Sequence, residues 1–328
     1  MSRPVGVAYA AEREFRPGSE ALMPPRSPLP QRDGLDAAWV RTPDNLPGSH
    51  RWTTMRDFLR ERLSDAAPVD EMLAAEVFVD QAGRPWRGEE PYRPNAFIWF
   101  HRELAPEPKV PFEVAVLYAD ERIVVVDKPH FLATMPRGVH VRETVVVRLR
   151  ESLGLPELVP AHRLDRLTAG VLVLTTQRAY RSAYAELFQS QQVSKTYEAL
   201  APHDPAIAFP QTVRNRIEKP RGSLQAVVVA GEPNAETLIE LAEVRGDHAR
   251  YRLIPTTGKT HQLRVHLAGL GLAIVGDPLY PRVLDVPVDD FSAPLQLVAR
   301  RLSFIDPVDQ TPREFISGCA LSWPEVGQ

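Results

Sequence analysis

The chain has 328 residues, 44% of them apolar and 25% charged, with 39 Lys and Arg against 42 Asp and Glu. That length suits roughly two domains of ~100–200 residues with a sizeable core. A net charge of −3 excludes a protein held to nucleic acid by bulk positive charge alone.

A single cysteine, Cys319, excludes an intramolecular disulfide framework and a multi-cysteine zinc site, and it suits a reducing compartment. No apolar run approaches the ~20 residues that span a bilayer. The first residues also lack the charged-then-apolar layout of a secretory signal. A soluble, cytoplasmic protein is expected. Proline is abundant, 32 against 18 glycines.

Residues 1–50 read as an extended, Pro-rich lead-in, with Pro24, Pro25, Pro28 and Pro30 close together and little apolar surface to offset ordering entropy. Beyond Pro30 the chain is able to pack as an extended strap. From Arg51 the pattern changes. Met55, Phe58, Leu59 and Leu63 fall at helical spacing, and a second apolar cluster follows at Met72, Leu73 and Ala74. Val77-Phe78-Val79 and Ala96 to Phe100 read as strands about a turn at Gly83. Residues 51–105 therefore form a small N-terminal α/β module. The run from Ala105 to Pro111, with prolines at 106, 108 and 111, is the linker to a larger domain over residues 106–328.

In that domain Val114–Tyr118, Ile123–Val126 and Val171–Leu174 read as strands. Thr144 to Leu153 reads as a helix closed by Gly154, and Tyr180, Tyr184, Leu187 and Phe188 mark another. Val193 to Leu200 alternates like a strand, and so do Thr237, Ile239 and Leu241. Arg250 to Ile254 follow across a turn at Gly246-Asp247. Consecutive strands with hairpin turns predict α+β architecture, a mixed, mainly antiparallel central sheet with flanking helices.

Three segments carry chemistry. His162-Arg163-Leu164-Asp165-Arg166-Leu167-Thr168-Ala169-Gly170 leads into the Val171 strand, and two arginines favour an ionised Asp165 between them. Taken alone, a turn carboxylate with surface arginines explains it as well. Thr257 to Leu267 predicts a short helix with Thr260 as N-cap, since Leu263, His266, Leu267 and Leu270 share one face. Lys259, the Thr260 hydroxyl and the first free N–H groups then converge as an anion site. An ordinary capped helix, with His261 and His266 as satisfied polar residues, fits the same spacing. Two histidines five apart diverge, so no metal is expected. The third segment is Lys195-Thr196-Tyr197, with Lys195 and Tyr197 on one strand face.

In this order the segments resemble the RluA class of pseudouridine synthases. His162–Gly170 resembles that family's HRLD-x-x-TSG motif, Lys195-Thr196-Tyr197 its K-x-Y, and Thr257–Leu267 its TGRTHQIRVHL. Asp127-Lys128-Pro129 is similar to its NKP element, Gly276-Asp277-Pro278-Leu279-Tyr280 to its GDPLY, and Leu302-Ser303-Phe304 to its RLSF. The likeness runs from about Val114 to the C-terminus. Three departures stand out: Lys259 replaces a usual Arg, Ala169 a Ser, and Val298 a common His.

The resemblance implies the pseudouridine synthase fold and an isomerase that converts specific uridines of ribosomal or transfer RNA, without cofactor. It implies Asp165 as the essential carboxylate, acting on the nucleotide as nucleophile or as base. Arg264 pairs with it, and Tyr197 stacks on the flipped base, its hydroxyl assisting loss of the C5 proton. Arg163 fills the gap left by the base or holds a phosphate. Arg166, Lys128, Lys195, Lys259, Thr260 and His261 are the further RNA-binding candidates. Residues 51–105 resemble a degenerate S4-type RNA-binding module, and a purely structural cap fits them equally. The alternative for the whole chain is a non-catalytic RNA-binding paralogue of the same fold. Nothing predicts an obligate protein partner, so a monomer is expected.

The charge is unevenly spread. Asp127 to Gly222 holds 14 Lys and Arg against 9 Asp and Glu, net +5, leaving −8 for the remainder. A basic segment therefore coincides with the Asp165 motif.

Overall fold

The computed structural model describes residues 24–44, 51–63 and 67–324. The other parts of the expected lead-in, 1–23 and 45–50, lie outside the described residues. The chain divides into two compact units. One runs to Glu107 and includes Arg137–Arg142; the other comprises Pro108–Pro136 and the chain from Glu143 onward.

In the first unit, strand β1 (Ala38–Arg41) precedes helices α1 (Met55–Arg62) and α2 (Val69–Ala74) and strand β2 (Phe97–Phe100). Helix α1 starts where the sequence provides a reciprocal cap: the Thr54 hydroxyl accepts from Asp57 N–H and the Asp57 carboxylate from Thr54 N–H. Met55, Phe58 and Leu59 then face a core shared with Phe78, Trp86, Ile98 and Phe100. One expectation is extended and one corrected here. The strap beyond Pro30 supplies β1, which pairs antiparallel with β2. Val77–Val79 is not a strand but contributes isolated bridges from Val79 to Pro85 and Trp99, because Pro85 has no N–H to extend a ladder. The excursion Arg137–Arg142 is fixed within this unit by Glu107, whose carboxylate accepts from the Val141 and Arg142 N–H groups.

The second unit is built on one sheet. Its elements are β3 (Ala115–Ala119), β4 (Ile123–Lys128), α3 (Val145–Leu153), β5 (Val159–Pro160), β6 (Ala169–Thr175), α4 (Arg181–Gln189), β7 (Val193–Pro202), β8 (Gln211–Glu218), β9 (Val227–Val229), β10 (Ala235–Arg245), β11 (His248–Pro255), α5 (Gln262–Gly269), β12 (Leu297–Ile305) and β13 (Pro312–Ile316). The strand order is β3-β4-β6-β12-β7-β11-β10-β8-β9, with β13 beside β12 and β5 beside β6. All its pairings are antiparallel except β6 with β12. This is the mixed, mainly antiparallel sheet the sequence predicts. Strands β4 and β6 are buried along their whole length, as their unbroken apolar runs require.

The parallel seam is short, Val298 opposite Ala169 and Ala299 opposite Gly170. Gly170 has φ +115°, and a Cβ there would lie 2.3 Å from the Ala299 carbonyl oxygen. Only glycine lets the motif loop enter the sheet at this point. Among the described residues, no helix is long and apolar enough to cross a membrane.

Candidate active site

Beside that seam is a cavity of about 330 Å³, bordered by the loop before β6, strand β7, the end of β11 and the start of α5. Asp165 lies in its wall with 24% of its side chain exposed. Its loop is held from both sides. The Thr134 hydroxyl donates to the Leu164 carbonyl (2.8 Å) and accepts from the Leu164 N–H (3.2 Å). The Lys128 ammonium donates to the carbonyls of Pro129, Leu132 and Arg166 at 2.9, 2.8 and 3.1 Å. His162 stacks on Phe188 with ring centres 4.2 Å apart and accepts the Val173 N–H on Nε2. Burial, reinforced by Lys195, pushes its pKa down to about 3, so the ring is neutral.

Arg264 enters from α5. It is fully buried, and Asp277 takes both prongs of its guanidinium, Nε to Oδ2 at 2.8 Å and Nη2 to Oδ1 at 2.6 Å. Asp277 is fixed in turn by the N–H groups of Leu279 and Tyr280. The remaining nitrogen, Nη1, stands 3.8 Å from Asp165 Oδ2. Burial works against the arginine's charge, but the Asp277 hydrogen bonds and charge, with Asp165, raise its pKa on balance. Tyr197, on β7, also lines the cavity, and burial followed by the Asp165 charge raises its pKa strongly. The phenol therefore stays protonated: it suits stacking and hydrogen-bond donation, and is a poor acceptor for the C5 proton.

Of the expected RNA-binding residues, Arg163, Lys195, Lys259, Thr260 and His261 line the cavity. Two do not. Lys128 is completely buried and spends its donors on backbone carbonyls; burial pushes its pKa down to about 7, against the pull of nearby Asp165. It holds the Asp165 loop rather than a phosphate. Arg166 is absent from the lining and turns toward the Phe131 carbonyl, 3.5 Å away.

The start of α5 also differs from expectation. Thr260 does not cap it; His261 occupies the N-cap with φ +59° and no side-chain cap. Gln262 organises the turn instead, its Oε1 accepting from Thr257 Oγ1 and Lys259 N–H while its Nε2 donates to Glu236 O and Thr237 Oγ1. His266 is a satisfied core residue between Thr237 and Asn215.

Sequence reasoning singled out neither Asp277 nor Tyr280 as a site residue. Their signal is the Gly276–Tyr280 segment, where a buried Asp and a buried Tyr each precede a proline, Pro278 and Pro281. Two of the departures from the family pattern, Ala169 and Val298, are direct partners across the parallel seam, both completely buried. Two apolar side chains meet across the seam there.

One carboxylate among four cations (Arg163, Lys195, Lys259 and Arg264), beside an un-ionised tyrosine, defines an enzyme cavity suited to a phosphate-bearing substrate. The sequence profile of the RNA pseudouridylate synthase family matches residues 122–269. Ribosomal large subunit pseudouridine synthase D of Xanthomonas campestris is 31% identical over 274 residues, 78% of this chain and 80% of the relative. Human pseudouridylate synthase RPUSD2 is 34% identical over 193 residues, 56% of this chain; the chain spans only 33% of that longer protein. The solved structure of human RNA pseudouridylate synthase domain containing 1 shares the fold, with a TM-score of 0.52 at 24% identity over 65% of this chain and 86% of that one. The chain belongs to the RNA pseudouridylate synthase family, in its RluA class, and is an isomerase acting on RNA.

Proposed function

We propose that the protein converts specific uridines in a structured ribosomal or transfer RNA to pseudouridine, with Asp165 as the essential carboxylate. The observation that carries this reading is Asp165 in the cavity wall, facing Arg264 at 3.8 Å with Tyr197 beside it. The reaction breaks C1′–N1, turns the uracil and joins C1′ to C5. The proton on C5 leaves and N1 ends protonated, so no electrons are exchanged. A cavity of this size suits one flipped base rather than a stacked run. Arg264 faces the carboxylate with a fixed positive charge as RNA displaces water, whether Asp165 attacks the nucleotide or removes a sugar proton. Tyr197 supplies a ring for the base. Exposed Arg163 and Lys259, with half-buried Lys195, meet phosphates or the vacated stack.

The first unit is better read as structural support than as an S4-type RNA grip. Arg51, Arg56 and Arg60 are each paired with Glu61, Asp70 or Glu89, leaving those arginines of α1 and its approach without surplus charge.

The test is tritium release from in vitro transcribed ribosomal and transfer RNAs carrying C5-tritiated uridine. Asp165→Asn is expected to bind RNA and release none. Release at the wild-type rate would remove Asp165 from the chemistry.

A further inference from the structure

His261 is held in a way that its place at the head of α5 does not require. Its backbone is left-handed, φ +59°, a conformation uncommon for residues other than glycine and costly unless the surroundings enforce it. Its side chain is held by Tyr280. The tyrosine hydroxyl accepts the Ala226 N–H at 2.7 Å and lies 3.0 Å from the Ala226 carbonyl oxygen, an acceptor that takes its only proton. His261 Nδ1 sits 2.9 Å from the same hydroxyl. With the phenol proton directed at Ala226 O, all three contacts are satisfied together when Nδ1 donates, which is the Nδ1–H tautomer of the imidazole. The lone pair is then on Nε2, in the cavity wall and 3.8 Å from Asp165 Oδ2.

From this geometry we propose that His261 Nε2 is the base that removes the C5 proton from the rejoined uracil, with Tyr280 as its positioning residue. The inference rests on the reading of Asp165 given above. Asp165 acts at the ribose, so the atom joined to C1′ in the second half of the reaction lies within a few ångströms of its carboxylate. Once C1′–C5 has formed, C5 carries both the sugar and a hydrogen. The proton passes to Nε2, the C–H electron pair returns to the ring, and N1 gains a proton from the imidazolium through solvent. Atoms and charge balance with no other reactant.

The other groups around the site do not serve. Arg163, Lys195, Lys259 and Arg264 are cations, Tyr197 holds its proton, and Asp165 is engaged at the sugar. The groups facing the imidazole are Asp165, Arg264, Lys219, Asp277 and Tyr280. Burial lowers its pKa, opposed by Asp165 and reinforced by Arg264 and Lys219, so the neutral form is the resting one.

His261→Asn tests this. Asparagine tolerates the left-handed backbone and places an amide near the Nδ1 position, but it has no basic atom in place of Nε2. The probes are the same transcripts with uridine protiated or deuterated at C5. Turnover at saturating RNA is expected to fall ~100-fold, well beyond any change in RNA affinity. The C5 isotope effect should grow, because proton removal becomes limiting. Tyr280→Phe keeps the ring over Arg264 and loses only the hydroxyl; it should show the same growth in isotope effect with a smaller rate loss, and it serves if the Asn variant fails to fold. An unchanged rate, or a slower rate with no growth in isotope effect, overturns the proposal while an inactive Asp165→Asn leaves the parent reading standing. An active Asp165→Asn overturns the parent reading.

Discussion

Asp277→Asn should cost stability well out of proportion to its single changed atom. The carboxylate and the Arg264 guanidinium are both essentially inaccessible, 1% and 2% exposed, and meet in two charge-assisted hydrogen bonds of 2.8 and 2.6 Å. Removing one partner of such a pair costs ~3–5 kcal/mol, because the other charge stays buried without compensation. The asparagine oxygen still accepts from the Leu279 and Tyr280 N–H groups, which puts the expected loss at the lower end, ~3 kcal/mol. For a domain of this size that is roughly 6–12 °C in Tm. Scanning calorimetry of the full chain measures it, with Asp285→Asn, in an exposed loop, as the control that should not move. Arg264, released from Asp277, has only Asp165 left to pair with, so turnover should fall while RNA affinity holds. A wild-type Tm for Asp277→Asn would show that the pair neither anchors α5 nor holds Arg264 in register with Asp165.

Gly170→Ala should unfold the seam between β6 and β12, since the new methyl meets backbone at 2.3 Å and no side chain is able to give way; a stable, active Ala variant would refute the account of that glycine. His266 should make the protein acid-sensitive. Burial pushes its pKa down to about 4 in the fold, against ~6.5 when unfolded. The unfolded chain therefore binds the proton first, and stability is lost as pH falls from about 6.5 toward 4, at ~1.4 kcal/mol per pH unit. Denaturation curves for wild type and His266→Gln across that range should differ by this slope. RNA affinity should fall with salt at a log–log slope of about −2, from three phosphate-facing cations at ~0.7 each on single-stranded RNA; a slope beyond −5 would mean a second basic surface is engaged.

Much of the site was legible because its chemistry is local in sequence. Asp165 and Arg163 belong to one loop, Lys195 and Tyr197 to one strand face, and His261 and Arg264 to one helix head. What escaped is what the fold brings from elsewhere. Asp277 and Tyr280 reach Arg264 and His261 across a loop that no helical or strand period describes. Lys128 looked like a surface cation because lysine usually is one; only the packing of β4 reveals three carbonyls waiting for it. At α5 the periodic face holds Leu263, His266 and Leu267, all buried, but Gln262 and Arg264 off that face are buried too, each by a polar partner that pattern reading does not see. The β1 strand was hidden for the opposite reason: Ala38 to Arg41 is too short to stand out beside its prolines, and pairing with β2 supplies what its own sequence lacks.

The same distinction resolves how a chain of net −3 grips a polyanion. Charge count matters less than which charges are already spent. Away from the cavity, Arg122 and Arg313 are committed to Asp120, Asp306 and Asp309, Arg300 to Glu198, and Arg252 to Glu240. Arg163, Lys195 and Lys259 make no such pair among the described residues. At physiological salt, fields from exposed groups fade over ~8 Å, so an approaching phosphate responds to those unspent cations and not to the sum over the chain. The acidic total is thus compatible with RNA binding because the carboxylates that pair with arginines away from the cavity leave Arg163, Lys195 and Lys259 unspent, making the cavity the local exception.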